Sequence, residues 1–69
     1  MTVQELIEES EELEPLCALL IEKANVSFVY DENDIEFVDW KTLNLPVKHY
    51  EIKTKPGTKK RYLKVKVDD

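Results

Sequence analysis

Apolar residues in the first part of the chain recur every three or four positions, which is the period of one buried helix face. They follow Thr2-Val3-Gln4-Glu5, a sequence with the form of a capping box at the start of a helix. The stripe consists of Leu6, Ile7, Leu13, Leu16, Cys17, Leu20 and Ile21. Pro15 has no N–H to donate and interrupts any helix that contains it. The pattern predicts a helical region over residues 2–24, either split into a helix near 3–13 and a second from Pro15 to Lys23, or bent at Pro15.

After this region the alternation of apolar and polar side chains has a period of two, which is typical of half-buried strands. Residues 26–40 are interpreted as a β-hairpin whose turn is Asp31-Glu32-Asn33-Asp34. Residues 48–67 are interpreted as a second β-hairpin. Its type II turn, Lys55-Pro56-Gly57-Thr58, has glycine at the position where φ must be positive. The last strand, residues 61–67, has aliphatic side chains on one face and a tyrosine and lysines on the other.

This order of elements predicts an α+β fold. The N-terminal helix, kinked or split at Pro15, is expected to pack on one face of a small antiparallel sheet of three to four strands. A chain of 69 residues has room for a single domain, residues 1–69. The one cysteine, Cys17, rules out the intrachain disulfides that small secreted domains usually need, so we expect a cytoplasmic location. No apolar stretch approaches the roughly 20 residues of a membrane span.

Charge is distributed unevenly along the chain. Residues 1–40 contain twelve acidic residues and one basic residue, Lys23, for a net charge of -11. Residues 41–69 contain nine basic and three acidic residues, for a net charge of +6, and the two parts together give the formal net charge of -5. Such asymmetry can mark a nucleic-acid or protein partner. Because surface charge is common and each charge contributes little, attraction between the two halves inside the fold is the favoured explanation.

The residues that usually carry catalysis are isolated from one another. His49 is the only histidine and has no partner at a catalytic or metal-ligand spacing, so we interpret it as an exposed strand residue. Cys17 lies on the apolar helical stripe and is expected to pack in the core. The only glycine, Gly57, is used in a turn, which leaves none for a phosphate-binding loop. We therefore predict a protein that is not an enzyme and needs no metal or cofactor.

The first functional hypothesis is a protein-interaction module, such as an inhibitor or adaptor, that binds a basic partner surface through acidic residues. The residues predicted to form this acidic face are Glu8, Glu9, Glu11, Glu12, Asp31, Glu32 and Asp34. Small acidic proteins of phages and other mobile elements act in this way, and the chain is similar to them only in size and charge. Trp40 is expected to pack under the helix, and would be a plausible anchor for a partner if it were exposed.

The alternative hypothesis is nucleic-acid binding by the basic C-terminal hairpin. Its residues are Lys53, Lys55, Lys59, Lys60, Arg61, Tyr62, Lys64 and Lys66. Lysines neutralise phosphates, and a tyrosine on a sheet face can stack on a base. The net negative charge of the whole chain opposes binding to a polyanion.

Self-association is a third possibility. The oppositely charged halves can pair between subunits, or an edge strand can pair with a copy of itself. No membrane partner is expected.

Overall fold

The chain folds as one main helix on one face of a four-stranded sheet, and the computed structural model describes residues 1–68. The elements along the described chain are α1 (Val3–Leu13), β1 (Leu16–Lys23), β2 (Val26–Asp31), a 3-10 turn (Ile35–Phe37), α2 (Trp40–Leu43), β3 (Val47–Thr54) and β4 (Arg61–Val67). The predicted α+β class is confirmed.

The start and the end of α1 follow from local chemistry. The Thr2 hydroxyl accepts a hydrogen bond from the backbone N–H of Glu5 at 3.3 Å, and the Glu5 carboxylate accepts one from the backbone N–H of Thr2 at 3.0 Å. This is the predicted capping box, and it satisfies two donors that the first turn of the helix leaves free. The helix ends at Leu13 because Glu14 precedes Pro15 and takes an extended conformation, with φ -156° and ψ 142°.

Residues after Pro15 form a strand, so the prediction of a second or bent helix to Lys23, and with it the helical region 2–24, is wrong. β1 pairs with β2 in an antiparallel register and with β4 in a parallel register. Leu19 and Ile21 are fully buried. A short apolar run fits a helix face and a strand buried on both sides equally well by periodicity. Residues 16–23 form a strand because they pair with two neighbouring strands, and this pairing is a tertiary contact.

The predicted hairpin over residues 26–40 is also wrong, because β2 pairs with the strand before it. The turn between β1 and β2 is Ala24-Asn25, and Ala24 has a positive φ of 53°. Residues 31–34 do form a turn, in which the N–H of Asp34 donates to the carbonyl of Asp31 at 2.9 Å. That turn leads into the 3-10 turn and α2, and not into a second strand.

The strand order in the sheet is β2-β1-β4-β3, and β1 and β4 run parallel. The sheet is therefore mixed, and not wholly antiparallel as predicted, because two hairpins join along their β1 and β4 strands. The predicted C-terminal hairpin is confirmed: β3 and β4 are antiparallel, and Gly57 has φ +78° in their connection. The N–H of Thr58 donates to the carbonyl of Lys55 at 3.1 Å and closes that turn.

The core lies between α1, the connection from β2 to β3, and one face of the sheet. Its buried residues are Val3, Leu6, Ile7, Leu16, Leu19, Ile21, Ile35, Val38, Leu63, Val65 and Val67. Trp40 is outside this core with 69% of its surface exposed, so the expectation that it packs under the helix is wrong. The reason is that residues 35–40 do not form a strand of the sheet. The opposite face of the sheet carries no helix from residues 1–68.

Candidate functional site: an acidic groove

A groove of about 480 Å³ lies between one flank of α1 and the connection that follows β2. It is lined by Gln4, Ile7, Glu8, Glu11, Glu32, Asn33, Ile35, Glu36 and Leu43. The groove brings together acidic residues from two separate parts of the sequence, the helix and the segment after β2. Four of its nine lining residues are glutamates, and none is basic.

Helix geometry explains how the groove combines acidic walls with an apolar floor. Glu8 and Glu11 are three positions apart, so they lie on the same flank of α1. Ile7 lies one position before Glu8 and turns toward the core, where it is only 8% exposed. Ile35, also 8% exposed, comes from the opposite wall. The groove therefore has carboxylates along its sides and apolar side chains at its floor.

The carboxylates of the groove are not neutralised within the described part of the chain. Four ion pairs occur in residues 1–68: His49–Glu51 at 3.5 Å, Lys53–Glu51 at 3.2 Å, Arg61–Glu14 at 3.0 Å and Lys64–Glu22 at 3.4 Å. None of them involves a glutamate of the groove. Glu8 accepts one hydrogen bond, from the side-chain amide of Gln4 at 3.3 Å. The negative potential of the groove is therefore directed to solvent.

The structure divides the predicted acidic face. Glu8, Glu11 and Glu32 line the groove, whereas Glu9 and Glu12 lie on α1 outside it and are exposed. Glu36, another acidic residue of the N-terminal half, also lines the groove. A 3-10 turn over Ile35–Phe37, where the sequence predicts a strand, directs this segment along α1.

Asp31 and Asp34 lie in the turn after β2 and do not line the groove. The two carboxyl groups are close enough to interact. Hydrogen bonding to Asp31, followed by charge repulsion from it, raises the pKa of Asp34 above its ordinary value.

The basic hairpin is partly neutralised by its neighbours. Lys53, Arg61 and Lys64 each form one of the ion pairs given above, two of them with glutamates of the N-terminal half. Lys55, Lys59 and Lys60 are exposed around the hairpin turn and take part in none of the ion pairs within residues 1–68. Lys66 lies on β4, exposed, next to His49 of β3. The concentrated positive charge is therefore limited to the hairpin turn.

Tyr62 is half-buried on the face of the sheet that carries no helix. Its neighbours across the strands are Ala18 of β1 and Lys53 of β3. A side chain in this position offers only part of its ring to a stacking base. The structure thus places the predicted aromatic residue beside the basic ones, with its side chain half-buried.

His49 lies on β3 and Cys17 lies on β1. The His49 side chain is 68% exposed, as expected for an exposed strand histidine, and its Nε2 is 3.5 Å from Glu51. Hydrogen bonding from Lys53, and then from His49, lowers the pKa of Glu51 below its ordinary value. Cys17 is half-buried on β1, so its predicted place on a helical stripe is wrong. Within residues 1–68 no group of three or more histidine, cysteine or acidic side chains is arranged to hold a metal ion.

Comparisons with known proteins found no matching family model, no matching curated protein and no matching solved structure. Over residues 1–68, none of the helices has the length and the apolar character needed to cross a membrane.

Proposed function

We propose that this chain is a non-enzymatic protein-interaction module, an inhibitor or adaptor, that binds a basic segment of a partner protein in the acidic groove. The observation that supports this function best is the groove itself, where Glu8 and Glu11 of α1 lie opposite Glu32 and Glu36 over an apolar floor. Four carboxylates without an ion-pair partner in residues 1–68 attract lysine and arginine side chains, and the buried floor favours an apolar anchor between them.

A short amphipathic helix is the partner segment that fits this chemistry. Basic residues three or four positions apart on such a helix can reach both walls of the groove, while one aliphatic residue faces Ile7 and Ile35. Because the carboxylates are exposed, the attraction is long-range and falls with ionic strength. Charge of this kind contributes mainly to the association rate and to the choice of partner.

The proposal is tested with two double variants on the same helix. Glu8→Gln/Glu11→Gln removes two carboxylates from the groove, and Glu9→Gln/Glu12→Gln removes two from the same helix outside it. Both variants change the net charge equally and keep side-chain size and helix propensity. The comparison therefore separates binding in the groove from general attraction to an acidic protein.

The probe is a fluorescein-labelled amphipathic peptide of lysine and leucine, and its binding is measured by anisotropy at several salt concentrations. At about 0.5 kcal/mol for each lost ion pair, the groove variant should bind about fivefold more weakly than the wild type. The control variant should lose clearly less. Equal losses in the two variants would show that the groove is not the binding site.

Nucleic-acid binding by the C-terminal hairpin remains the alternative, supported by the lysines around its turn. Single- and double-stranded oligonucleotide probes in the same assay test it, with Lys59→Gln/Lys60→Gln as the variant. Salt-sensitive binding that this variant removes and the groove variant keeps would favour the hairpin. A pull-down from host lysate with and without nuclease then identifies the natural partner, because a protein partner is retained after nuclease treatment.

A further inference from the structure

β2 is an edge strand whose outer side is free to pair. In the part of the chain that the structure describes, the strand order β2-β1-β4-β3 gives β2 a single neighbour. In an antiparallel ladder, alternate residues direct their N–H and C=O groups to opposite sides, so half of the polar backbone of β2 points away from β1. Such a row of free donors and acceptors is a template for another strand.

The sequence of β2 contains none of the features that usually protect an edge. It reads VSFVYD, without proline, glycine or lysine, and its only charge is on Asp31, the last residue. Its pairing with β1 runs over six residue pairs without a register shift. A regular, nearly uncharged edge strand pairs readily with another chain.

The other edge of the same sheet is protected. β3 follows Pro46, contains two lysines, and has a register shift between Val47 and His49. The N–H of Val47 also donates to the carbonyl of Met1 at 2.8 Å, so the N-terminus covers the start of this edge. Proline, lysines, bulges and covering segments are the devices by which proteins block edge pairing. Because one edge has these devices and the other has none, β2 is the edge that is suited to a partner.

Exposed apolar side chains accompany the free backbone on both faces of β2. Val26 and Phe28 lie on the side of the sheet that carries α1 and are 54% and 44% exposed. Val29 lies on the other side and is 71% exposed. An added strand would cover apolar surface above and below the sheet. The partner strand must therefore itself be apolar on both faces, and β2 of a second copy has this property.

We propose that two copies of this protein associate through their β2 strands in an antiparallel arrangement. A twofold axis perpendicular to the sheet passes between the two copies of Phe28. In this register Val26 of each copy lies opposite Tyr30 of the other, and Ser27 lies opposite Val29. Side chains of the same face then meet, both helical layers lie on the same side, and the two four-stranded sheets become one continuous sheet.

The charges of the strand permit this register. Asp31 of one copy lies opposite Asn25 of the other, so no like charges face each other across the new pair. Each copy carries a formal net charge of -5, so the two copies repel each other. Salt screens that repulsion and should strengthen the dimer, whereas it weakens binding in the acidic groove. The two associations therefore respond to salt in opposite directions and are tested independently.

The oligomeric state is measured by sedimentation equilibrium from about 10 μM to 1 mM protein, a range in which a weak dimer of this kind would appear. The mass is expected to rise with concentration from 8.1 kDa toward twice that value, and to rise further in 0.5 M salt as repulsion is screened. A mass of one chain over the whole range, at low and high salt, would overturn the proposal.

Two matched variants identify the edge. Phe28→Lys places two lysines face to face at the proposed axis and should weaken the dimer by at least about tenfold. Tyr50→Lys makes a similar change on β3, at an aromatic residue that is also 44% exposed and on the same side of the sheet. It should leave the dimer intact. A dimer that Tyr50→Lys abolishes and Phe28→Lys preserves would overturn the proposal.

A cross-linking experiment tests the register even if Phe28→Lys proves unstable. In a Cys17→Ser background, Phe28→Cys places two thiols opposite each other at the axis, within the spacing that a disulfide needs. Mild oxidation should give a covalent dimer from Phe28→Cys and little from Tyr50→Cys. Equal cross-linking of the two variants would indicate random collision and contradict pairing through β2.

Discussion

Replacing Leu19 and Leu20 one at a time with alanine tests whether residues 16–23 form a strand or a helix. The helical stripe expected from the sequence includes Leu20 and leaves out Leu19. In the structure the burial of the two leucines is the reverse of this expectation. Leu19 is fully buried beside Leu63 of β4, and Leu20 is half-buried on the face of the sheet opposite α1. The two leucines are adjacent in sequence and identical in chemistry, so each is the control for the other.

The expected loss of unfolding free energy for each variant follows from the burial of the leucine that it replaces. Leu19→Ala removes three carbon atoms from the centre of the core and leaves a cavity, which should lower the free energy of unfolding by about 3 kcal/mol. Leu20→Ala removes the same atoms from a site that is partly hydrated already, and should cost about 1 kcal/mol. A domain of this length has a total stability of roughly 3–10 kcal/mol, so the first change removes a large part of it.

Urea unfolding followed by circular dichroism measures both effects. With an m-value of about 1 kcal/mol/M, the midpoint should fall by about 3 M for Leu19→Ala and by about 1 M for Leu20→Ala. If Leu19→Ala is unfolded without urea, Leu19→Val and Leu20→Val give the same comparison at a lower cost, near 1 kcal/mol for the buried site. A loss for Leu20 equal to or larger than that for Leu19 would refute the strand register.

Three further predictions concern the helix cap, the first hairpin turn and acid. Thr2→Ala removes the capping hydroxyl and should lower the free energy of unfolding by about 1 kcal/mol in urea titrations, whereas Thr2→Ser should not. Ala24→Gly should raise it by about 0.5–1 kcal/mol, because relief of the positive φ outweighs the extra chain entropy of glycine; a loss of stability would contradict the turn geometry. Hydrogen bonds from Thr2 lower the pKa of Glu5 in the folded state, so its contribution is present above the unfolded pKa and is lost as pH falls through the folded one. Glu5→Gln should therefore flatten the decline of the urea midpoint below about pH 5, and an unchanged decline would rule out this contribution.

Local interactions explain the parts of the fold that could be predicted from the sequence. The capping box at Thr2 and Glu5, the turn at Gly57 and the alternation of β4 each depend on neighbours within a few residues along the chain. The sequence predicts a break in a helix at Pro15, and α1 does end just before it. These features are specified by steric and hydrogen-bonding rules that do not need the rest of the molecule.

Residues 16–23 and 35–40 show where local reasoning fails. The apolar run of β1 satisfies helical spacing as well as strand pairing, and only contact with β2 and β4 on its two sides decides between them. Ile35-Glu36-Phe37 alternates like a strand, but no strand of the sheet is adjacent to it, so it forms a 3-10 turn and carries the chain toward the opposite edge.

By itself the sequence determined that the protein would be a small α+β fold with acidic residues concentrated before residue 40 and no evident catalytic set. Only the tertiary structure decided that Glu8 and Glu11 meet Glu32 and Glu36 across one groove, and that β2 is left as an unprotected edge. The acidic groove and the free edge of β2 have the same physical origin. Each depends on which strands pair and where the connection after β2 crosses the sheet. Those contacts join residues that are far apart in the chain, so a local pattern of side chains does not predict them.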